Sequence, residues 1–335
     1  MKVDYRNIFD SIFNALEKYG SVLWKYLSFS LADNFFSMAR VVSISIESDG
    51  IYFIFGTKIF WKIAIKSFKK YPLEEDKELT PEYLATVVSE AVDDIGANRA
   101  SFILNIPGDW IIERIAEFPA TVRENLANVI SYELDRLTPL TPDNAYYDYK
   151  IIDDSADKIK VFLTVAKADR INPFLEALKL KKIKIEKLGV STFVIRSLIK
   201  DTYKIKDAVF ISVHEKSYEC GAFINDFKVR SLSGQVRSWD DSQVHQIINA
   251  AKLLIDLFPK GNPSRIVIHA DEKYYKMFAD KLSGLPVANL TRNSDRCVPK
   301  GDKSISPFAL GSFLETVTAD QNEFNLLTGK NMNPN

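Results

Sequence analysis

One order of secondary-structure signals occurs twice in this chain, and that repeat constrains the fold more than any other feature. Val41 to Ile46 (VVSISI) alternates and is rich in β-branched residues, so it reads as a strand. Asp49-Gly50 is a hairpin turn signal, Ile51 to Phe55 a second strand, and Phe60 to Phe68 a third. Thr80 as N-cap and Pro81 at the first helical position predict a helix to about Ile95, with Leu84, Val87, Val88, Ala91 and Ile95 on one face. Ser101 to Ile106 is a fourth strand. The β-β-β-α-β order then returns. Its strands are Ala208–Val213, Tyr218–Ile224, Phe227–Leu232 and Arg265–His269, with a turn at Asn225-Asp226. Its helix is capped by Asp240-Asp241-Ser242 and runs to Phe258, and a further helix covers about Glu272 to Leu282.

A chain of 335 residues is long enough for two such lobes. Two mixed sheets of this order, each covered by helices, predict an α/β (α+β) protein with duplicated ribonuclease-H-like lobes, the actin-like architecture. Between the repeats, Ile111–Phe118, a helix from Thr121 to Leu137, Ala145–Ile151, Lys158–Ala166, a helix Asn172–Leu180 and Ile183–Leu188 read as β-α-β-β-α-β. That is the order of a ferredoxin-like unit. Thr121 with Glu124 fits a capping box, and Pro139 ends the first helix. The expected division is an N-terminal amphipathic helical segment at 1–40, a first lobe at 41–108, the insert at 109–190, a second lobe at 191–317 and a linker at 318–335.

Composition narrows the partners. Lys+Arg and Asp+Glu each number 44, and no basic stripe stands out, which argues against nucleic acid. The densest basic run, Lys179 to Lys187, is interleaved with apolar residues and reads as a solvated edge or helix end. Cys220 and Cys297 form no CxxC or Cys/His cluster, and His214, His245 and His269 sit near no metal-ligand motif. No apolar run approaches bilayer length. In residues 1–40, Ile8, Phe9, Ile12, Phe13, Leu16, Tyr19, Leu23, Tyr26 and Leu27 recur at helical spacing, which favours packing or partner binding over a membrane-surface role.

Phe118 to Tyr149 (FPATVRENLANVISYELDRLTPLTPDNAYYDY) resembles a segment of the type II secretion system protein L family, and the related PilM- and PilN-type pilus assembly proteins are similar. The residues that carry this are Pro119, Ala120, Glu124, Asn125, Leu126, Glu133, Leu134, Asp135, Arg136, Thr138, Pro139, Tyr146, Asp148 and Tyr149. Leu140 stands where Phe is usual. Pro307 to Gly311 resembles the start of the family's last helix. Asn325-Leu326-Leu327 resembles the segment just before its single transmembrane helix, with Thr328 in place of Pro. The resemblance implies a scaffold on the cytoplasmic face of the bacterial inner membrane, anchored by a C-terminal transmembrane helix beyond Asn335. Its implied partners are the N-terminal domain of the cytoplasmic secretion or pilus ATPase and other inner-membrane platform subunits. Secretion and pilus machines are not separated by sequence, and a homodimer stays open.

Actin-like ATPases hold phosphates on two hairpins with Asp-x-Gly at the end of each first strand, where Gly lets backbone N–H groups approach. Here those positions are Ser45 and Glu47 in the first lobe and Ser212 and His214 in the second. The adenosine-binding Gly-Gly is replaced by Ile268-His269-Ala270-Asp271. The chain has no P-loop, GxSxG or HExxH. Glu133 and Asp135, two apart on a helix, face different directions. The expectation is therefore no enzyme activity, no nucleotide cofactor and no metal, with a nucleotide-binding actin-like ATPase as the alternative. Tyr132, Arg136, Tyr146 and Tyr147 are the candidate partner-binding residues, because exposed Tyr and Arg are favoured anchor types.

Overall fold

Strand β1 (Met38–Glu47) turns through Ser48 and Asp49 into β2 (Gly50–Ile59), pairing antiparallel with Glu47 opposite Gly50. The third strand, β3 (Lys62–Pro72), pairs along the far edge of β2. The structure is a computed structural model and describes residues 38–59, 62–73, 79–97, 99–213, 217–225, 227–258, 261–290, 306–318 and 323–331. The amphipathic signal before residue 38 lies outside the described residues, as do Cys297 and His214.

Helix α1 (Pro81–Ile95) begins as its sequence dictates. The Thr80 side chain accepts the Tyr83 N–H at 3.2 Å, and Gly96 ends the helix at φ 63°, a left-handed conformation suited to glycine. Its buried stripe includes Leu84, Val87, Val88 and Ala91. The chain returns as β4 (Ser101–Ile106), parallel to β1 with Val41 opposite Ser101.

A module follows: β5 (Ile111–Pro119), α2 (Leu126–Leu137), β6 (Ala145–Asp154) and β7 (Lys158–Lys167). Its three strands lie in the order β5-β7-β6. Phe118, Leu126, Ile130, Leu134, Tyr147, Val161 and Leu163 close a core of its own. The expected boundary of 109–190 is corrected here. Helix α3 (Ala168–Leu180) packs beside α1, and β8 (Ile185–Val190) joins the first sheet, parallel to β4. The insert is therefore β-α-β-β, and its last expected helix and strand belong to the first lobe. Their alternation suited either sheet, and the open edge of β4 provides a partner buried on both faces. The capping box is corrected as well. Residues 120–125 form a 3₁₀ turn, and α2 starts at Leu126 without a side-chain cap.

Helix α4 (Ser191–Tyr203) leads to the second sheet of β9 (Ala208–Val213), β10 (Ser217–Ile224), β11 (Phe227–Gln235), β12 (Ile266–His269) and β13 (Val287–Asn289). Helices α5 (Asp241–Ile255) and α6 (Glu272–Lys281) cover its outer face. Asp240 caps α5 by accepting the Gln243 N–H at 2.9 Å. The first sheet has order β3-β2-β1-β4-β8 and the second β11-β10-β9-β12-β13. These are the same topology, so the two lobes are duplicated and the fold is actin-like.

Helices α4 and α7 (Pro307–Thr318) lie between the sheets. Val41, Ile54 and Ile103 from one sheet, Phe210 and Val267 from the other, and Val194, Leu198, Phe313 and Leu314 from the helices form one continuous core. A Cβ on Gly311 would sit 2.3 Å from the Val194 carbonyl oxygen, so only glycine allows this approach of α7 to α4.

The expected linker at 318–335 is corrected from Glu323 to Asn331. Leu326 is fully buried and donates its N–H to the Leu188 carbonyl at 2.9 Å. The Asn325 side chain accepts the Leu188 N–H at 3.1 Å, and its backbone N–H donates to Asp148 at 3.0 Å. Phe324 packs on Phe193 with centroids 4.4 Å apart, and α8 (Leu327–Asn331) ends the described chain. Polar residues in 318–335 hid one short apolar anchor, which the free edge of β8 captures.

Candidate functional site

The hairpin β1–β2 ends at the cleft between the lobes, and its turn meets the second hairpin there. Ser48 and Ser217 share a hydroxyl hydrogen bond of 2.8 Å. Glu47, at the end of β1, is buried. One oxygen of its carboxylate accepts the Ser306 hydroxyl, while the other has no hydrogen-bond partner. Ser306 in turn accepts the N–H groups of Phe308 and Ala309 and so caps α7. Burial pushes the Glu47 carboxyl up to about 8. The Ser306 hydrogen bond opposes that shift, and the neighbouring charges of Asp49 and Glu219 add to it. Ser45 and Ser212 are buried within their strands.

An actin-like fold implies a nucleotide and its magnesium at this place, and these residues do not fit them. A carboxylate occupies the position where a phosphate needs backbone N–H groups and no side chain. Glu219 also reaches the cleft, its Oε1 2.9 Å from where a Cβ on Gly108 would lie. The Glu47 side chain fills the space a phosphate needs, and the charges of Asp49 and Glu219 that act on it would oppose a polyphosphate. Among the described residues, no group of His, Cys, Asp and Glu could hold a metal ion. Cys220 is buried, and burial pushes its thiol well above the ordinary range, so it is no nucleophile.

The four candidate partner-binding residues separate. Tyr132 and Arg136 lie one turn apart on the outer face of α2. Tyr132 is 82% exposed, and Arg136 pairs with Glu133 at 2.9 Å. Tyr132 borders a cleft of about 200 Å³ with Asn128, Ser131, Pro142 and Asp143. Tyr146 and Tyr147 are corrected, because both are buried. Tyr146 donates its hydroxyl to Asn172 at 2.7 Å, and Tyr147 packs in the module core against Gly329. The strand places successive side chains on opposite faces, and here both faces of β6 are covered.

Sequence reasoning did not single out the buried ion cluster behind the tail. Lys187 reaches Glu315 at 2.7 Å and Glu323 at 2.8 Å, and Arg196 reaches Glu315 at 3.4 Å. Burial pulls the Lys187 ammonium down, but the two glutamates outweigh it and hold it above its ordinary value. These residues come from β8, α4, α7 and the tail, so no local pattern links them.

No family model matches this chain, and no curated protein matches it significantly. Solved structures do. A chain of the PilM–PilN type IV pilus biogenesis complex is similar at TM-score 0.59 and 14% identity, over 88% of this chain and 99% of that one. The cytoplasmic domain of EpsL, an inner membrane component of the type II secretion system of Vibrio cholerae, is similar at TM-score 0.49 and 10% identity, over 86% and 98%. Among the described residues no helix is long and apolar enough to cross a membrane. With the strand orders above, the likeness to the pilus complex makes this chain a two-lobed actin-like protein.

Proposed function

We propose that this chain is a non-enzymatic scaffold of a secretion or pilus assembly platform at the cytoplasmic face of the inner membrane, where it recruits the N-terminal domain of the machine's cytoplasmic ATPase. The observation that carries this reading is the base of the cleft. There the buried carboxylate of Glu47 faces Asp49 and Glu219 where the fold's ATPases need a phosphate cradle. A rigid two-lobed body without that cradle is suited to docking. The resemblance of Phe118 to Tyr149 points to the secretion family, and the fold likeness to the PilM–PilN complex keeps the pilus machine as the alternative. Both assign the same role.

The docking surface in this reading is the outer face of α2, where Tyr132 and Arg136 stand clear of the module core. Size-exclusion chromatography of this chain with the N-terminal domain of its cognate ATPase tests it. Co-elution at tens of micromolar is expected, and Tyr132→Ala or Arg136→Ala weakens the complex by about 1–2 kcal/mol with the fold intact. Separate elution of two folded pieces refutes recruitment. Calorimetry with ATP and Mg²⁺ is expected to show no binding, and low-micromolar affinity or turnover overturns the non-enzymatic half of the reading.

A further inference from the structure

The turn between α3 and β8 carries a surface that neither folding nor the proposed recruitment accounts for. Lys179, Leu180, Lys181, Lys182 and Lys184 are all exposed around the single buried residue Ile183. Leu180 is 85% exposed, the highest value among the exposed large apolar residues described. The backbone here is well ordered by its own bonds. Lys182 N–H donates to the Lys179 carbonyl at 2.9 Å and Ile183 N–H to the Leu178 carbonyl at 3.0 Å, a helix-ending motif that usually takes Gly or Asn at its left-handed position. Lys182 occupies that position at φ 63°. None of the four lysines makes an ion pair among the described residues.

A purely structural reading covers part of this. A lysine in the last helical turn complements the helix dipole, which suits Lys179. It does not cover Lys181, Lys182 and Lys184, which lie beyond the helix, nor an apolar side chain left in water beside them. Strand register places more of the molecule at the same end. Val41 lies opposite Ser101 and Phe102 opposite Ile185, so β1, β4 and β8 all start at this edge of the sheet. Arg99, just before β4, is exposed and unpaired among the described residues. The exposed acids flanking these segments in sequence are Glu176, Glu186, Asp93 and Asp94, the last paired with Lys69, four against the five cations Lys179, Lys181, Lys182, Lys184 and Arg99.

We propose that this end of the first lobe rests on an anionic membrane surface, with the lysines of the 179–184 turn at the headgroups and Leu180 entering the acyl boundary. Exposed cations around an exposed apolar tip are the chemistry that an anionic bilayer recognises. An acidic protein would use the charges but leave Leu180 without a role.

Co-sedimentation of the whole chain with vesicles tests this. Binding is expected to vesicles of phosphatidylglycerol and phosphatidylethanolamine and not to vesicles of phosphatidylcholine alone, and it weakens with added salt. Each lysine near the surface is worth about fivefold, so Lys181→Gln with Lys182→Gln lowers partitioning roughly 25-fold. Lys181→Glu with Lys182→Glu loses at least as much, and the milder glutamine pair keeps the test open if the charge reversal unfolds the chain. Leu180→Ser loses about fivefold. Lys252→Glu with Lys276→Glu on the second lobe makes the same change in net charge and leaves binding unchanged. Equal binding to both vesicle types, binding to neither, or wild-type binding by the folded lysine variants overturns the proposal.

Discussion

The two lobes share a strand order but not a workload. In the second lobe, β12 passes to β13 through α6 alone. In the first, the equivalent passage from β4 to β8 carries a whole module before α3. The first lobe also holds the docked tail, the buried ion cluster and the lysine-rich turn, while the second has a plain outer layer of α5 and α6. The comparison teaches that the duplicated core is indifferent to what its crossovers carry. A β4 strand that ends at the surface can leave and return anywhere, provided β8 comes back parallel beside it. Both features assigned a partner here, the α2 face and the 179–184 turn, therefore hang from the first lobe.

If the first lobe's last strand depends on its ions, removing one should cost more there than any change in the second lobe. Glu315→Ala removes the fully buried carboxylate that Lys187 and Arg196 share, and leaves Lys187 with the part-exposed Glu323. It is expected to lower stability by about 3–5 kcal/mol, measured by urea unfolding, and to free the tail to hydrogen exchange. A loss below about 1 kcal/mol would mean that the cluster is solvated and the lobes are more alike than described. The weld between the lobes comes next. Gly311→Ala forces α7 off the Val194 carbonyl and is expected to cost about 3 kcal/mol. A single cooperative transition should become two if the lobes are otherwise independent, which calorimetry would reveal.

The smallest effect concerns the cleft. Glu47 binds its proton more tightly in the fold than in the unfolded chain, from an ordinary 4.5 to about 8. The folded state therefore holds the extra proton between those values, and stability falls as pH rises through that window. The Glu47 contribution is intact below about pH 4.5 and lost above about pH 8. Glu47→Gln should flatten this slope and stabilise the protein near pH 8.5 while leaving it unchanged near pH 4. A wild-type profile with no such slope would place Glu47 in contact with water and remove the contrast between this cleft and a phosphate cradle.

Short-range chemistry determined much of this protein without any help from packing. Alternation and β-branching set the strands of both repeats, Thr80 with Pro81 and Asp240 set two helix starts, and the repeated order set the duplicated fold. The residue types at Ser45, Glu47 and Ser212 were legible as well, because a phosphate cradle depends on residue type at a fixed strand end. Helix α4 was hidden, since its first nine residues are buried on every side and show no stripe. Three further matters belonged to the tertiary structure alone. Residues 168–190 went to the first lobe and not to the insert, because a strand's pattern does not name its neighbour. Tyr146 and Tyr147 went inside while Tyr132 stayed out, because burial depends on what covers a face. The segment from Glu323 docked, because a free strand edge and the buried Lys187 lay within its reach, and both are assembled from parts of the chain far apart in sequence.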